Sequence, residues 1–230
     1  METTGHNPAG DTAVVLAGPY RDDANLEPAP AGVAELARTA AWVIAADSGL
    51  DEADRLGITP NLVVGDLDSA SNEALQRAEG AGVAVERHPV DKDATDLELA
   101  LDAAVARGCL RVVVIGGVGG RLSHLLGNAT VLTSPRYQFV EIEWLAGSAR
   151  AYVVDTRRPC TIDGQPGDLV SLVPFGLVEG VESSGLRFGL EDDTLALGTT
   201  RGISNVLVET RATVEVASGV LLVIVESETT

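Results

Sequence analysis

Leu62-Val63-Val64-Gly65-Asp66-Leu67-Asp68-Ser69 is a short apolar run that ends in a glycine and two acids. The same design recurs on either side of it. Trp42–Ala46 ends in Asp47-Ser48-Gly49, and Val83–Glu86 is followed by Asp91-Lys92-Asp93-Ala94-Thr95-Asp96. Val112–Ile115 ends in Gly116-Gly117-Val118-Gly119-Gly120-Arg121. Runs that are apolar almost throughout are expected of strands whose two faces are both covered, as in a parallel sheet.

Outward from these runs, Ala13–Leu16 and Phe139–Trp144 complete the strand set of the first half. Helical stretches fall between strands, at Ala31–Ala40, Gly49–Leu56, Ser71–Gly80, Asp96–Arg107 and Leu122–Leu132. Thr95 with Glu98 three residues on has the form of a capping box and fixes the start of the fourth helix. Strand–helix alternation predicts an α/β, doubly wound, mostly parallel sheet domain over residues 12–146. After Gly147 the helical signal stops. Ala151–Val154, Leu169–Val173, Leu177–Val181, Val206–Glu209, Ala212–Val216 and Val220–Val225 read as strands separated by turns such as Asp163-Gly164. An all-β sandwich domain over residues 147–228 is expected.

Composition narrows the function. The 230 residues carry 34 acidic and 16 basic side chains, a net charge of −18, which repels phosphate backbones and argues against nucleic acid. Aromatic residues make up 3 %, too few for a base-stacking platform. No apolar stretch has the length of a membrane span, and the polar start Met1–Asp11 does not resemble a signal peptide, so no membrane partner and a cytoplasmic location are expected. Cys109 and Cys160 lie in or beside apolar runs without metal-ligand spacing and read as core residues. The sequon Asn128-Ala129-Thr130 falls on a packed helix and is read as chance.

In an open α/β sheet, ligands bind at the carboxyl ends of the strands. Here successive strands deliver Asp47, then Asp66 and Asp68, then Asp93 and Asp96, to one edge. Asp66 and Asp68, two apart on an extended segment, are expected on the same side of the chain. Each close pair of carboxylates costs about 4 kcal/mol at an effective dielectric near 20, so a cation must offset the cluster. Oxygen-only donors select Mg²⁺ rather than zinc. The loop Gly116–Gly120 precedes a helix and can offer N–H groups to phosphate, with Arg121 beside it. It matches neither the dinucleotide fingerprint nor the P-loop, so metal–polyphosphate chemistry outside those two classes is expected.

Taken together, Ala46-Asp47-Ser48-Gly49, Pro60–Ser69, Asp91–Glu98 and Gly119-Gly120-Arg121-Leu122-Ser123-His124 resemble the signature segments of thiamine pyrophosphokinases. Gly185-Leu186-Arg187-Phe188, Thr194-Leu195, Gly198 and Arg201-Gly202-Ile203-Ser204-Asn205 resemble that family's thiamine-binding β-domain. The resemblance runs from about residue 13 to 225. It implies a homodimer that uses Mg²⁺ to transfer pyrophosphate from ATP to thiamine, the first domain holding ATP and metal and the second thiamine. Asp66, Asp68, Asp93 and Asp96 would be the catalytic and metal-holding acids. Asp47, Ser69, Gly117, Gly120, Arg121 and Ser123 would lie along ATP, and Ser204 and Asn205 along thiamine. Two positions depart from the pattern: Ser48 stands where the family usually has glycine, and Ser123 where it has aspartate.

Rival readings are a pyrophosphokinase acting on another alcohol, such as a pterin, and a non-catalytic regulator that binds magnesium nucleotide or thiamine. His88 and His124 read as packing or hydrogen-bonding residues rather than acid–base groups. Trp42 and Trp144 read as core.

Overall fold

The computed structural model describes residues 10–19 and 32–227, which divide into two compact units with the boundary between Asn128 and Ala129. Among the described residues, no helix is long and apolar enough to cross a membrane.

In the first unit, β1 (Thr12–Leu16), β2 (Trp42–Ala46), β3 (Leu62–Gly65), β4 (Ala84–Arg87) and β5 (Arg111–Ile115) run parallel in the order β5-β1-β2-β3-β4. Every residue of β1 and β3 is buried, as the apolar runs require of strands covered on both faces. β4 is the exception, exposed along most of its length. It carries Glu86 and Arg87, which suits a sheet edge that must not recruit another strand.

The helices are α1 (Val33–Thr39), α2 (Gly49–Arg55), α3 (Asn72–Gly80), α4 (Asp96–Ala106) and α5 (Leu122–Leu132). Ala31, the expected start of α1, lies outside the described residues. At α3 the hydroxyl of Ser71 accepts from Ala74 N at 3.2 Å, and at α4 that of Thr95 accepts from Glu98 N at 3.3 Å. Such caps satisfy one of the donors that a helix start leaves open, each contributing about 1 kcal/mol. Leu16, Ile44, Leu50, Leu62, Leu101 and Ile115 are fully buried in this unit. Each contributes about 1.5–3 kcal/mol through apolar area removed from water. The order of strands reverses at β1, which has β5 on one side and β2 on the other, and a ligand crevice is expected at that point.

The second unit is antiparallel. β12 (Asn205–Val206), β9 (Leu169–Pro174), β14 (Val220–Glu226), β7 (Ala149–Asp155) and β6 (Glu141–Ala146) form one run of paired strands. β11 (Asp193–Ala196), β10 (Leu177–Ser184), β13 (Arg211–Glu215) and β8 (Cys160–Asp163) form the other. Val154, Val170, Leu172 and Val223 from the first meet Ile162, Val181, Leu195 and Val214 from the second in one core. This is the two-layer arrangement of a sandwich.

Two features differ from the sequence reading. The run near Phe139–Trp144, counted with the parallel strands, forms β6 and pairs antiparallel with β7. Gly147, at φ 65°, opens the two-residue loop between them, and such a loop joins only antiparallel neighbours. Strands β8 and β11 were not expected, because Cys160–Asp163 and Asp193–Ala196 carry too few apolar residues to stand out.

Candidate active site

Asp47, the residue after β2, has φ 47° and donates its N–H to Val64 O at 2.9 Å. Leu67 has φ 64°. Left-handed backbone is tolerable for Asp but costs about 1–3 kcal/mol for a residue such as leucine. The Leu67 side chain packs against the core cluster of Ala45, Leu50, Val63, Ala74 and Ala78, and this burial offsets the strain. The expectation of an extended Asp66–Asp68 segment is therefore corrected. A left-handed turn at Leu67, not strand alternation, brings the two acids together.

One oxygen from each of Asp47, Asp66 and Asp68 lies within 4.8 Å of the others. The surrounding hydrogen bonds fix these oxygens. Ser69 N donates to Asp47 Oδ1 at 3.3 Å, Ser69 Oγ donates to Asp68 Oδ1 at 2.9 Å, and Asp68 N donates to Asp66 Oδ1 at 3.3 Å. Lys92 donates to Asp66 Oδ2 at 2.5 Å and pairs with Asp96 Oδ1 at 3.1 Å. Asp96 Oδ1 is buried, and it faces the Lys92 ammonium.

The electrostatics follow from this packing. Burial, reinforced by the negative charge of Asp96, raises the pKa of Asp47 above the ordinary carboxylate value, against the opposing hydrogen bonds from Ser69. The hydrogen bond from Lys92 holds Asp66 below it. Burial works to lower the pKa of Lys92, but its bonds to Asp66 and Asp96 outweigh that and hold the ammonium above its usual value.

The set fits a hard divalent cation. All three clustered donors are carboxylate oxygens, with no sulfur or imidazole among them. The three oxygens lie within 4.8 Å of one another, close enough for one small cation to be shared among them.

The acids border a pocket of about 150 Å³, lined among others by Asp47, Ser69, Asp96, Gly117, His124 and Asn128. It lies where strands β1, β2 and β5 end. A Cβ on Gly116 would stand 2.2 Å from Gly18 O, so only glycine allows this loop to approach the β1 end so closely. Asn128 reaches back from α5 and donates to Gly117 O at 2.8 Å, which pins the loop.

Of the residues expected from sequence, Asp47, Asp66 and Asp68 come together. Asp96 joins them through Lys92, and Ser69 and Gly117 line the same region. Asp93 is exposed and outside the three-acid group. Gly120, Arg121 and Ser123 are exposed at the start of α5 and do not line the pocket. His124, which does, meets Arg121 Nη2 through Nε2 at 2.5 Å. Sequence reasoning gave no role to Lys92 or Asn128. The signal for Lys92 was a single base set four residues before Asp96 within an acidic run. Asn128 had no local signal.

In the second unit, Ser204 is exposed at φ 57° and donates its N–H to Ser171 Oγ at 3.1 Å. Asn205 is buried. Its Oδ1 accepts from Phe188 N at 3.0 Å and Val206 N at 2.9 Å, and its Nδ2 donates to Phe188 O at 2.8 Å. These bonds clamp Phe188, a residue 65 % exposed, and set Gly185–Phe188 alongside Asn205–Val208.

Comparison with known proteins shows what the chain is similar to in sequence and fold. The family model "Thiamin pyrophosphokinase, catalytic domain" matches residues 33–144, and "Thiamin pyrophosphokinase, vitamin B1 binding domain" matches residues 159–221. Thiamine pyrophosphokinase of Bacillus subtilis (strain 168) is 29 % identical over 169 residues, covering 73 % of this chain and 79 % of that protein. The crystal structure of thiamine pyrophosphokinase from Bacillus subtilis superposes with a TM-score of 0.77 at 26 % identity, covering 95 % of this chain and 100 % of that one. The Candida albicans enzyme, at 13 % identity, shares the fold with a TM-score of 0.76, covering 95 % of this chain and 90 % of that one.

Proposed function

The chain belongs to the thiamin pyrophosphokinase family, and from that premise we propose that it transfers the terminal pyrophosphate of ATP to the hydroxyethyl oxygen of thiamine, releasing AMP. The observation that carries this reading is the meeting of Asp47, Asp66 and Asp68 within 4.8 Å beside the pocket that Gly117 lines.

Asp47, Asp66, Asp68 and Asp96 would hold Mg²⁺. The ion would neutralise polyphosphate charge and polarise the β-phosphoryl group. Asp93, exposed on the loop that carries Lys92, is assigned to the magnesium nucleotide rather than to the resting carboxylate group. The Gly116–Gly120 loop and the start of α5 offer N–H groups to phosphate oxygens, with Gly120, Arg121 and Ser123 along the nucleotide. Asp96, which borders the pocket and faces Lys92 through its buried Oδ1, is assigned as acceptor of the thiamine hydroxyl proton. Ser204 and the exposed Phe188 would contact thiamine. Asn205 acts through Phe188, its own polar atoms being already engaged. A homodimer with thiamine near the subunit interface completes the reading.

A substrate panel tests it. AMP release from ATP and Mg²⁺ is measured with thiamine, with a hydroxymethyl pterin and with neither. Release that depends on thiamine supports the assignment. Release with the pterin alone moves the acceptor, and binding of both ligands without AMP makes the protein a regulator, as the serine at position 123 would favour.

A further inference from the structure

The acidic edge contains its own cation. Lys92 Nζ lies 2.5 Å from Asp66 Oδ2 and 3.1 Å from Asp96 Oδ1, and its side chain is only 13 % exposed. Two of the carboxylates at this edge, Asp66 and Asp96, therefore share one ammonium group. A free divalent ion entering beside Asp66 meets that like charge at close range. A magnesium nucleotide does not meet it in the same way, because its phosphate oxygens attract the ammonium.

We propose that Lys92 is a positioning residue that makes cation capture depend on the nucleotide: it weakens binding of the free divalent ion, then leaves Asp66 to pair with the polyphosphate. The inference rests on the metal–nucleotide reading above. The rival account is that Lys92 only pins the Asp91–Asp96 loop to β3. The two differ in sign. A pin, once removed, loosens the site for every ligand. An internal competitor, once removed, tightens the site for the free ion and loosens it for the nucleotide.

The test measures binding rather than turnover. Free Mn²⁺ is followed by electron paramagnetic resonance in titrations of the native protein, Lys92→Met, Lys92→Arg and Asp68→Asn. Each is run alone and with α,β-methylene-ATP, which cannot transfer its pyrophosphate. A unit charge about 6 Å from a divalent ion changes affinity about tenfold even at the dielectric of water. Lys92→Met is therefore expected to bind Mn²⁺ alone at least about tenfold more tightly than the native protein, and manganese nucleotide at least about tenfold more weakly. Lys92→Arg, which keeps the charge, should stay near native values. Equal or weaker binding of Mn²⁺ alone by Lys92→Met overturns the proposal, provided Asp68→Asn loses the ion. If Asp68→Asn binds Mn²⁺ as the native protein does, or the native protein holds none even with nucleotide, the cation reading falls and takes this inference with it.

Discussion

Gly65 passes so close to Asp96 that a Cβ on residue 65 would stand 2.8 Å from Asp96 Oδ1, on backbone at φ 145°. The same Cβ would lie 3.2 Å from the Cβ of Asp47. The glycine thus sets the spacing of two acids that arrive from different elements. Gly65→Ala is expected to lower kcat/KM at least about tenfold by displacing Asp96, and to cost about 1–3 kcal/mol of stability through backbone strain. Steady-state kinetics and urea denaturation check both. Unchanged kinetics would show that Asp96 has no part in the reaction.

Asp68 tests the carboxylate group with little risk to the fold, because it is exposed. Asp68→Asn removes one charge and keeps the shape. A loss of about 10²–10³ in kcat/KM is expected, the equivalent of about 3–4 kcal/mol of lost cation-borne stabilisation. The melting temperature should barely move. A variant as active as the native protein would remove Asp68 from the site.

Asn205 is a clamp more than a contact. Asn205→Ala deletes three hydrogen bonds and leaves the N–H and C=O of Phe188 without their partner. At about 1 kcal/mol net for each bond, a stability loss near 3 kcal/mol is expected, together with a raised KM for thiamine and little change in KM for ATP. Chemical denaturation and kinetics with each substrate varied separate these effects.

Cys160 gives the second unit an alkaline limit. Burial pushes its thiol from 9.0 up to about 12, with Glu143 and Glu141 adding to the shift. The unfolded chain therefore releases this proton first. Its contribution is fully present below pH 9 and is lost as pH rises toward 12, at about 1.4 kcal/mol per pH unit. Between pH 8 and 10 the native protein should lose about 1.4 kcal/mol more stability than Cys160→Ala, as read from urea midpoints. Equal losses would show that the thiol does not titrate with unfolding.

The architecture was legible where local pattern and tertiary demand agreed. Apolar runs such as Leu62–Val64 are buried on both faces, and the carboxyl-end rule then places Asp47 and Asp66 correctly. Thr95 capped its helix as its spacing said. Illegible features depended on partners distant in sequence. Pairing direction for β6 followed from Gly147 rather than from its own residues. The Leu67 turn is held by a core that local sequence does not display. Lys92 and Asn128 acquire roles only when folding sets them beside Asp66 and Gly117, and Asn205 reads as a ligand contact until Phe188 is seen to occupy its carboxamide.

The central claim is the reaction itself. The native protein, incubated with ATP, Mg²⁺ and thiamine, is followed by ³¹P nuclear magnetic resonance and ion-pair chromatography, with Ser123→Asp and a thiamine-free control alongside. AMP and thiamine diphosphate should form in equal amounts, faster in the variant because a carboxylate is restored at the start of α5. Formation of ADP with thiamine monophosphate, or no AMP above the control in either protein, would contradict the account.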